Sequence, residues 1–162
     1  MSRRRIRLSN RMYAIVSAED YEHLKQFSWI GRSNRPKGYP GKHNFYCYRW
    51  TPRKNYKRRA VYMHHEVSGS IEVDHIDGNG LHNYRENLRP ANHNQNQHNK
   101  GKCYTNTTGY KGVRFDKRRG SYYASIMLNK KTVYIGAYKT AKKAALAYRK
   151  KAIELHQGFA RW

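Results

Sequence analysis

Val73-Asp74-His75-Ile76-Asp77-Gly78-Asn79-Gly80-Leu81-His82-Asn83-Tyr84-Arg85-Glu86-Asn87-Leu88-Arg89 is the stretch on which the reading of this chain turns. Its lead-in, IEVDH at 71–75, suits a strand, the run Asp77-Gly78-Asn79-Gly80 is a strong turn signal, and a second short strand follows at about 87–91. From Asn92 onward the sequence is polar throughout, yet Asn92, Asn96 and Asn99 fall at i, i+4 and i+7 on one helical face. A helix that is polar all round must dock on something polar. Successive strand residues point to opposite sides, so Asp74 and His75 cannot meet at one point as neighbours. They can serve two sides of one phosphate, with Asp74 holding a hard cation and His75 aimed at an attacking water. One carboxylate, one amide and water ligands suit magnesium or manganese, whose task is Lewis-acid support of developing charge.

Charge is distributed to match. The 162 residues carry 34 Lys+Arg against 10 Asp+Glu, a formal charge of +24, and a mean hydropathy of -1.10. Residues 1–60 and 100–162 have net charges of +13 and +14, whereas 61–99 is -3 and holds six of the nine histidines: His64, His65, His75, His82, His93 and His98. Basic flanks around an acidic, imidazole-rich centre are what a nuclease needs: the flanks grip phosphates and present them to the site. The same excess makes nucleic acid the first partner to consider and an acidic membrane surface the second. No apolar run reaches the ~20 residues of a membrane span, and the N-terminus lacks the apolar core of a secretory signal, so a soluble intracellular protein is expected. Cys47 and Cys103 stand far apart without a C-x-x-C, against a disulfide framework or a cysteine zinc site. Fifteen tyrosines supply core-building rings despite the low hydropathy.

Around the centre, 11–16 reads as a strand, and Ser17 with Asp20 as a capping box opening a helix at about 18–28, with Tyr21, Leu24 and Phe27 on its apolar side. Residues 31–44 have loop composition. Strands are expected at 45–50 and 60–65, separated by the basic tract Arg53, Lys54, Lys57, Arg58 and Arg59, either a solvated hairpin tip or an arm facing phosphates. Beyond a linker at 101–109 come three antiparallel strands with turns at 117–120 and Asn129-Lys130, and then a helix capped by Thr140. Its stripe of Ala141, Ala144, Ala145, Tyr148, Ala152 and Leu155 covers one sheet face and ends near Gly158. The other face is expected to offer Lys111, Arg114, Tyr123 and Tyr134.

D-H-I-D-G-N, R-E-N-L-R and the helix bearing Gln95, Asn96 and Asn99, in this order, resemble the HNH endonuclease family of the homing type found in phages and introns. The resemblance implies a ββα-metal finger in which Asp74 and Asn96 hold the metal. His75 is then the general base, and Asn87 is the middle Asn that pins the hairpin loop and orients His75. Asn96 stands where many relatives have a histidine, as in the N-ended branch; Asn92 shares its face one turn earlier. His82, His93 and His98 read as structural or phosphate-contacting, His64 and His65 as packing or site residues, and Asp77 as a turn former. A second resemblance, in Y-K-G-V-R, Y-I-G-A-Y and T-A-x-x-A-A-x-A-Y over 107–162, is to the APETALA/ethylene-response-factor DNA-binding domain. It implies Lys111, Arg114 and Tyr134 facing DNA; Met127 and Thr132 stand where that family places arginines, so Lys117, Arg118, Arg119 and Lys130 read as positioning phosphates.

The expectation is therefore an α+β chain in four parts. A basic N-terminal α/β segment (1–59) contacts DNA, an HNH ββα-metal motif (60–100) cuts it, a linker (101–109) follows, and an APETALA-like three-stranded sheet plus helix (110–162) completes the chain. Its expected activity is magnesium- or manganese-dependent hydrolysis of duplex DNA, nicking one strand, as a monomer or weak dimer in the host-cell cytoplasm or nucleoid. Neither a membrane nor a small-molecule substrate is expected. The alternatives are a catalytically silent DNA-binding protein on the same scaffold and a ribosomal-type RNA binder.

Overall fold

Four arginines surround a single apolar residue in the first strand, β1 (Arg3–Arg7), where only Ile6 is buried. The computed structural model describes residues 2–35, 44–129 and 131–160. It divides into two compact units, residues 1–93 and 94–162, of mixed α and β structure. In the first unit β1 pairs antiparallel with β2 (Tyr13–Ser17), and α1 (Ala18–Leu24) follows. Their apolar sides meet in a core of Ile6, Leu8, Ala14, Val16, Leu24 and Trp29, joined by Cys47 and Met63. The Trp29 indole N–H donates to the Leu24 carbonyl at 2.8 Å, so the largest core side chain carries no unpaired donor.

Two sequence expectations fail here for identifiable reasons. The capping box does not form: Ser17 is the N-cap of α1 without a side-chain cap bond. Its Oγ accepts instead from the Arg85 N–H at 3.0 Å, and Asp20 takes the Arg85 guanidinium in a two-pronged pair at 2.7 and 2.9 Å. The bidentate pair draws the Asp20 carboxylate to Arg85 and away from the reciprocal bond of a capping box. The helix also stops at Leu24 rather than near 28, although Tyr21, Leu24 and Phe27 do face the core.

A second sheet is formed by β3 (Ile30–Ser33), β4 (Phe45–Trp50) and β5 (Ala60–Tyr62), all antiparallel. The expected loop at 31–44 thus begins as strand, and 36–43 lie outside the described residues. The strand expected to run to His65 ends at Tyr62, and α2 (Met63–Ser68) takes over, closed by Gly69 in the left-handed region. Met63 and Val67 are one helical turn apart, and helix geometry is what lets both reach the core. Then come β6 (Val73–His75), the two-residue β7 (His82–Asn83) and β8 (Leu88–Pro90). β6 and β8 pair antiparallel, and β7 leaves that loop to pair parallel with β2. The polar helix α3 runs His93–Asn99.

In the second unit β9 (Val113–Asp116), β10 (Ser121–Leu128) and β11 (Lys131–Tyr138) form an antiparallel sheet with β10 central. α4 (Ala141–His156) covers it, with the Thr140 hydroxyl accepting from the Lys143 N–H. Ala144, Tyr148 and Ala152 are buried against Val113, Ala124 and Ile126, the stripe the sequence predicts. The helix ends at His156 in a short 3₁₀ turn, just before Gly158. Lys130 lies outside the described residues. Among the described residues no helix is long and apolar enough to cross a membrane.

Gly112 enters β9 with φ of 71°, and a Cβ there would overlap the Tyr148 ring. Gly112→Ala therefore combines left-handed strain with overpacking and is expected to destabilise the second unit by roughly 2–4 kcal/mol. Thermal unfolding followed in the aromatic near-ultraviolet region checks this; an unchanged transition refutes the packing account.

Candidate active site and nucleic-acid interface

Strand alternation separates Asp74 from His75. Asp74 is the cross-strand partner of Arg89, whose Nη2 and Nε both donate to Asp74 Oδ2, at 2.8 and 3.1 Å. Both members of this pair are largely buried, so the Asp74 charge is compensated within the hairpin. His75, on the opposite side of β6, is only 5% exposed. Its Nε2 lies 3.3 Å from Asn83 Oδ1, and its ring packs edge-on against Tyr46 and His64, with centroids 5.8 and 5.0 Å away. Burial pulls the His75 pKa down; the Asn83 bond and the carboxylates of Asp77 and Asp74 only partly oppose it. The imidazole is therefore neutral at pH 7, the state a general base requires.

The 76–87 loop between β6 and β8 is fastened by Asn87. That buried amide accepts from the Asp77 N–H at 3.1 Å and donates to Asp77 Oδ1 at 3.0 Å and to the His82 carbonyl at 2.8 Å. Asp77, a turn former as the sequence suggests, also accepts from the Asn79 N–H and meets His82 Nδ1 at 2.5 Å. Burial raises the Asp77 pKa, but the bonds from Asn79, His82 and Asn87 outweigh it and hold the carboxyl below its ordinary value. Sequence reasoning missed Asn44, which clamps the same loop from a distance. Its amide donates to the Gly78 carbonyl at 2.9 Å and accepts from the Gly80 N–H at 3.1 Å. Gly80 sits so close to the Phe45 carbonyl and the Tyr46 ring that no Cβ fits. Asn83 and Tyr46, the neighbours of His75, were missed too; Asn83 alone lies within the quoted motif.

The remaining site residues are placed as follows. Asp74, His75 and Asn87 share the first unit, and Asn96 lies on α3 in the second. Among the described residues no three His, Cys, Asp or Glu side chains are grouped to hold a metal. His98 stacks on His156 with centroids 3.5 Å apart, a packing role. Arg53, Lys54, Lys57, Arg58 and Arg59 are all exposed on the hairpin joining β4 to β5. Lys117, Arg118 and Arg119 are exposed on the β9–β10 turn, where Asp116 Oδ1 accepts from the N–H groups of Arg118 and Arg119. Arg114 and Tyr134 are exposed on the sheet. Lys111 is not on the sheet face: it precedes β9, and its ammonium donates to the His98 carbonyl at 2.7 Å, where a helix C-terminus attracts a cation.

Two outcomes follow from the packing around His75. Asn87→Ala strips partners from the Asp77 N–H and the His82 carbonyl and is expected to cost about 2 kcal/mol in chemical denaturation. His64 Nδ1 is buried with no hydrogen-bond partner among the described residues. Burial, then the adjacent His75 and His65, push the His64 pKa down to about 3. An unfolded histidine titrates near 6.5, so between these values the unfolded chain binds a proton that the folded one refuses. Stability therefore rises with pH across this window and is lost as acid is added, by about 2 kcal/mol between pH 7 and pH 5. His64→Phe keeps a packing ring without the titration, and its denaturation midpoint should depend less on pH than the parent's; equal dependence would clear His64 of the effect.

No protein-family model matches the chain. A protein of Acanthamoeba polyphaga mimivirus, named as an uncharacterized HNH endonuclease, is 31% identical over 150 residues, spanning 91% of this chain and 73% of the relative. Protein 3.8 of Escherichia phage T7 is 32% identical over 120 residues, 68% of this chain and 98% of its own length. The mimivirus alignment takes in the Asp74-His75 strand, the loop fastened by Asn87 and most of both flanks, and on that extent of likeness this chain belongs to the HNH endonuclease family.

Proposed function

We propose that the chain is a metal-dependent endonuclease of the homing type that hydrolyses phosphodiester bonds in duplex DNA and nicks one strand. The observation that carries this reading is the buried His75 held one residue from Asp74 on a strand whose loop is fastened by Asn87. His75 accepts a proton from the attacking water; Tyr46, His64 and Asn83 hold its ring. Asp74 and Asn96 would hold the metal. One carboxylate and one amide, both oxygen donors, fit a hard cation that keeps its waters, magnesium or manganese. When bound, such an ion supplies Lewis-acid stabilisation of the charge on the phosphate and the leaving 3′ oxygen. One active site per chain favours nicking over a double-strand cut.

The flanks position the duplex: the β4–β5 hairpin in the first unit, and in the second the β9–β10 turn and the exposed Arg114 and Tyr134. The three-stranded sheet with α4 across one face is compatible with the APETALA-like reading of the C-terminal unit. Its exposed Met127 and Thr132 offer little base readout, which favours phosphate positioning. A host-cell cytoplasmic setting goes with the phage relative.

One observation favours a second reading, a DNA-binding protein without catalysis: Arg89 occupies Asp74 Oδ2 from two nitrogens. Conversion of supercoiled plasmid to open circle with magnesium, abolished by chelation, separates the two. His75→Ala is expected to lower the nicking rate roughly 100- to 10,000-fold with DNA affinity nearly unchanged. Asp74→Ala should abolish nicking at every magnesium concentration, Asn96→Ala should be partly rescued by excess metal, and Asn96→His should stay active. No nicking by the parent protein with magnesium or manganese would leave the silent reading standing.

A further inference from the structure

The hairpin joining β4 to β5 is built to present one side chain that contributes nothing to the fold. Beyond the last ladder pair the two arms stay bonded: the Thr51 N–H donates to the Arg59 carbonyl, and Lys54 and Lys57 exchange both backbone bonds at 2.9 and 3.0 Å. This leaves a two-residue turn, Asn55 and Tyr56, with φ of 50° and 61°. Such turns ordinarily use Asn-Gly, because both residues occupy the left-handed region. Asn55 meets that preference, whereas Tyr56 is a bulky residue in a conformation that disfavours it. Tyr56 is also 99% exposed, so no packing offsets the strain. Strain held at an exposed aromatic with no structural return marks a contact with something outside the chain.

The surroundings identify that partner. Arg53, Lys54, Lys57, Arg58 and Arg59 flank the ring, and no acidic residue occurs from Phe45 to His65. The Arg58 guanidinium lies over the Trp50 ring at 4.3 Å, which fixes one of these cations along the ribbon. A two-stranded ribbon fits the major groove of B-DNA, where base edges are reached between two rows of phosphate. We propose that this hairpin enters the major groove of duplex DNA and that Tyr56 is its base-contacting residue, laid against base edges while the flanking cations neutralise phosphates on either side. The inference rests on the DNA-binding reading above and adds a residue of base contact to it.

Because the tyrosine is uncharged and the cations are not, salt separates their roles. The probe is a short duplex pool of randomised sequence, enriched by binding to the full chain in the presence of chelator. Affinity for the enriched duplexes is then measured from low to moderate salt for the parent, Tyr56→Gly, Tyr56→Phe and Lys57→Gln. Tyr56→Gly creates the favoured Asn-Gly turn and should melt at the parent's temperature or above. Its line of log affinity against log salt should run parallel to the parent's and roughly 5- to 50-fold lower, as expected for loss of one buried ring. Tyr56→Phe should stay near the parent, and Lys57→Gln should lower the slope by about 0.9. Superimposed lines for Tyr56→Gly and the parent would overturn the inference while leaving DNA binding intact. A melting temperature several degrees below the parent's would place Tyr56 in the fold and overturn it too. A parent that binds no duplex would overturn the DNA-binding reading itself, and this one with it.

Discussion

The Asn87 amide is buried at the base of a long polar loop. Its carbonyl and NH₂ groups take one backbone N–H, one carboxylate and one backbone carbonyl, and with the backbone bond from the Ile76 N–H to the Asn87 carbonyl they draw both ends of the 76–87 loop together. The strand pair β6–β8 is only three residues long and could not hold such a loop through its ladder alone. The position of His75 depends on that closure, since Asn83, which faces its ring, is carried on the same loop. An aspartate would repel Asp77, and a leucine would strip the bonds from the Asp77 N–H and the His82 carbonyl, so the amide's mixed donor and acceptor character is what the site requires.

Around that closure the first unit is assembled by pairs from distant parts of the sequence. Arg85 on the loop is claimed by Ser17 and Asp20, Gly78 and Gly80 by Asn44, and Arg49 on β4 by Glu66 on α2. Each joins a charged or polar group of a neighbouring element to one the loop or sheet would otherwise leave unsatisfied. Three of the ten acids, Asp20, Glu66 and Asp74, each hold an arginine. The other arginines and lysines are left to dominate the outer field.

What was legible in the sequence was what short-range chemistry decides. The β6–turn–β8 segment, the polar α3, and the three strands and helix of the second unit each carry their own turn residues and period, and all appear. β1 was invisible because its alternation rests on Ile6 alone, and β7 because two residues in a loop have no pattern. The start of α2 reads as strand because the β-forming Ala60-Val61-Tyr62 precedes it, whereas the helical spacing of Met63 and Val67 and the closing Gly69 carry the helix signal. Asp74, His75 and Asn87 could be singled out because they fall in one motif. Asn44 and Tyr46 could not, since they reach the site from the separate β3–β4–β5 sheet and its approach, and only folding brings them near it.

The parallel pairing of β2 with β7 has a consequence for modularity. Ile15 and Val16 are matched to His82 and Asn83 by strand bonds spanning most of the first unit's sequence. The 76–87 loop therefore supplies the third strand of a sheet whose other two belong to the arginine-rich N-terminus. A segment beginning at residue 60 would retain every residue of the motif and still leave β7 an unpaired edge. The smallest transplantable unit that keeps this motif folded therefore reaches back from the motif through Asn44 and Tyr46 to the first 17 residues.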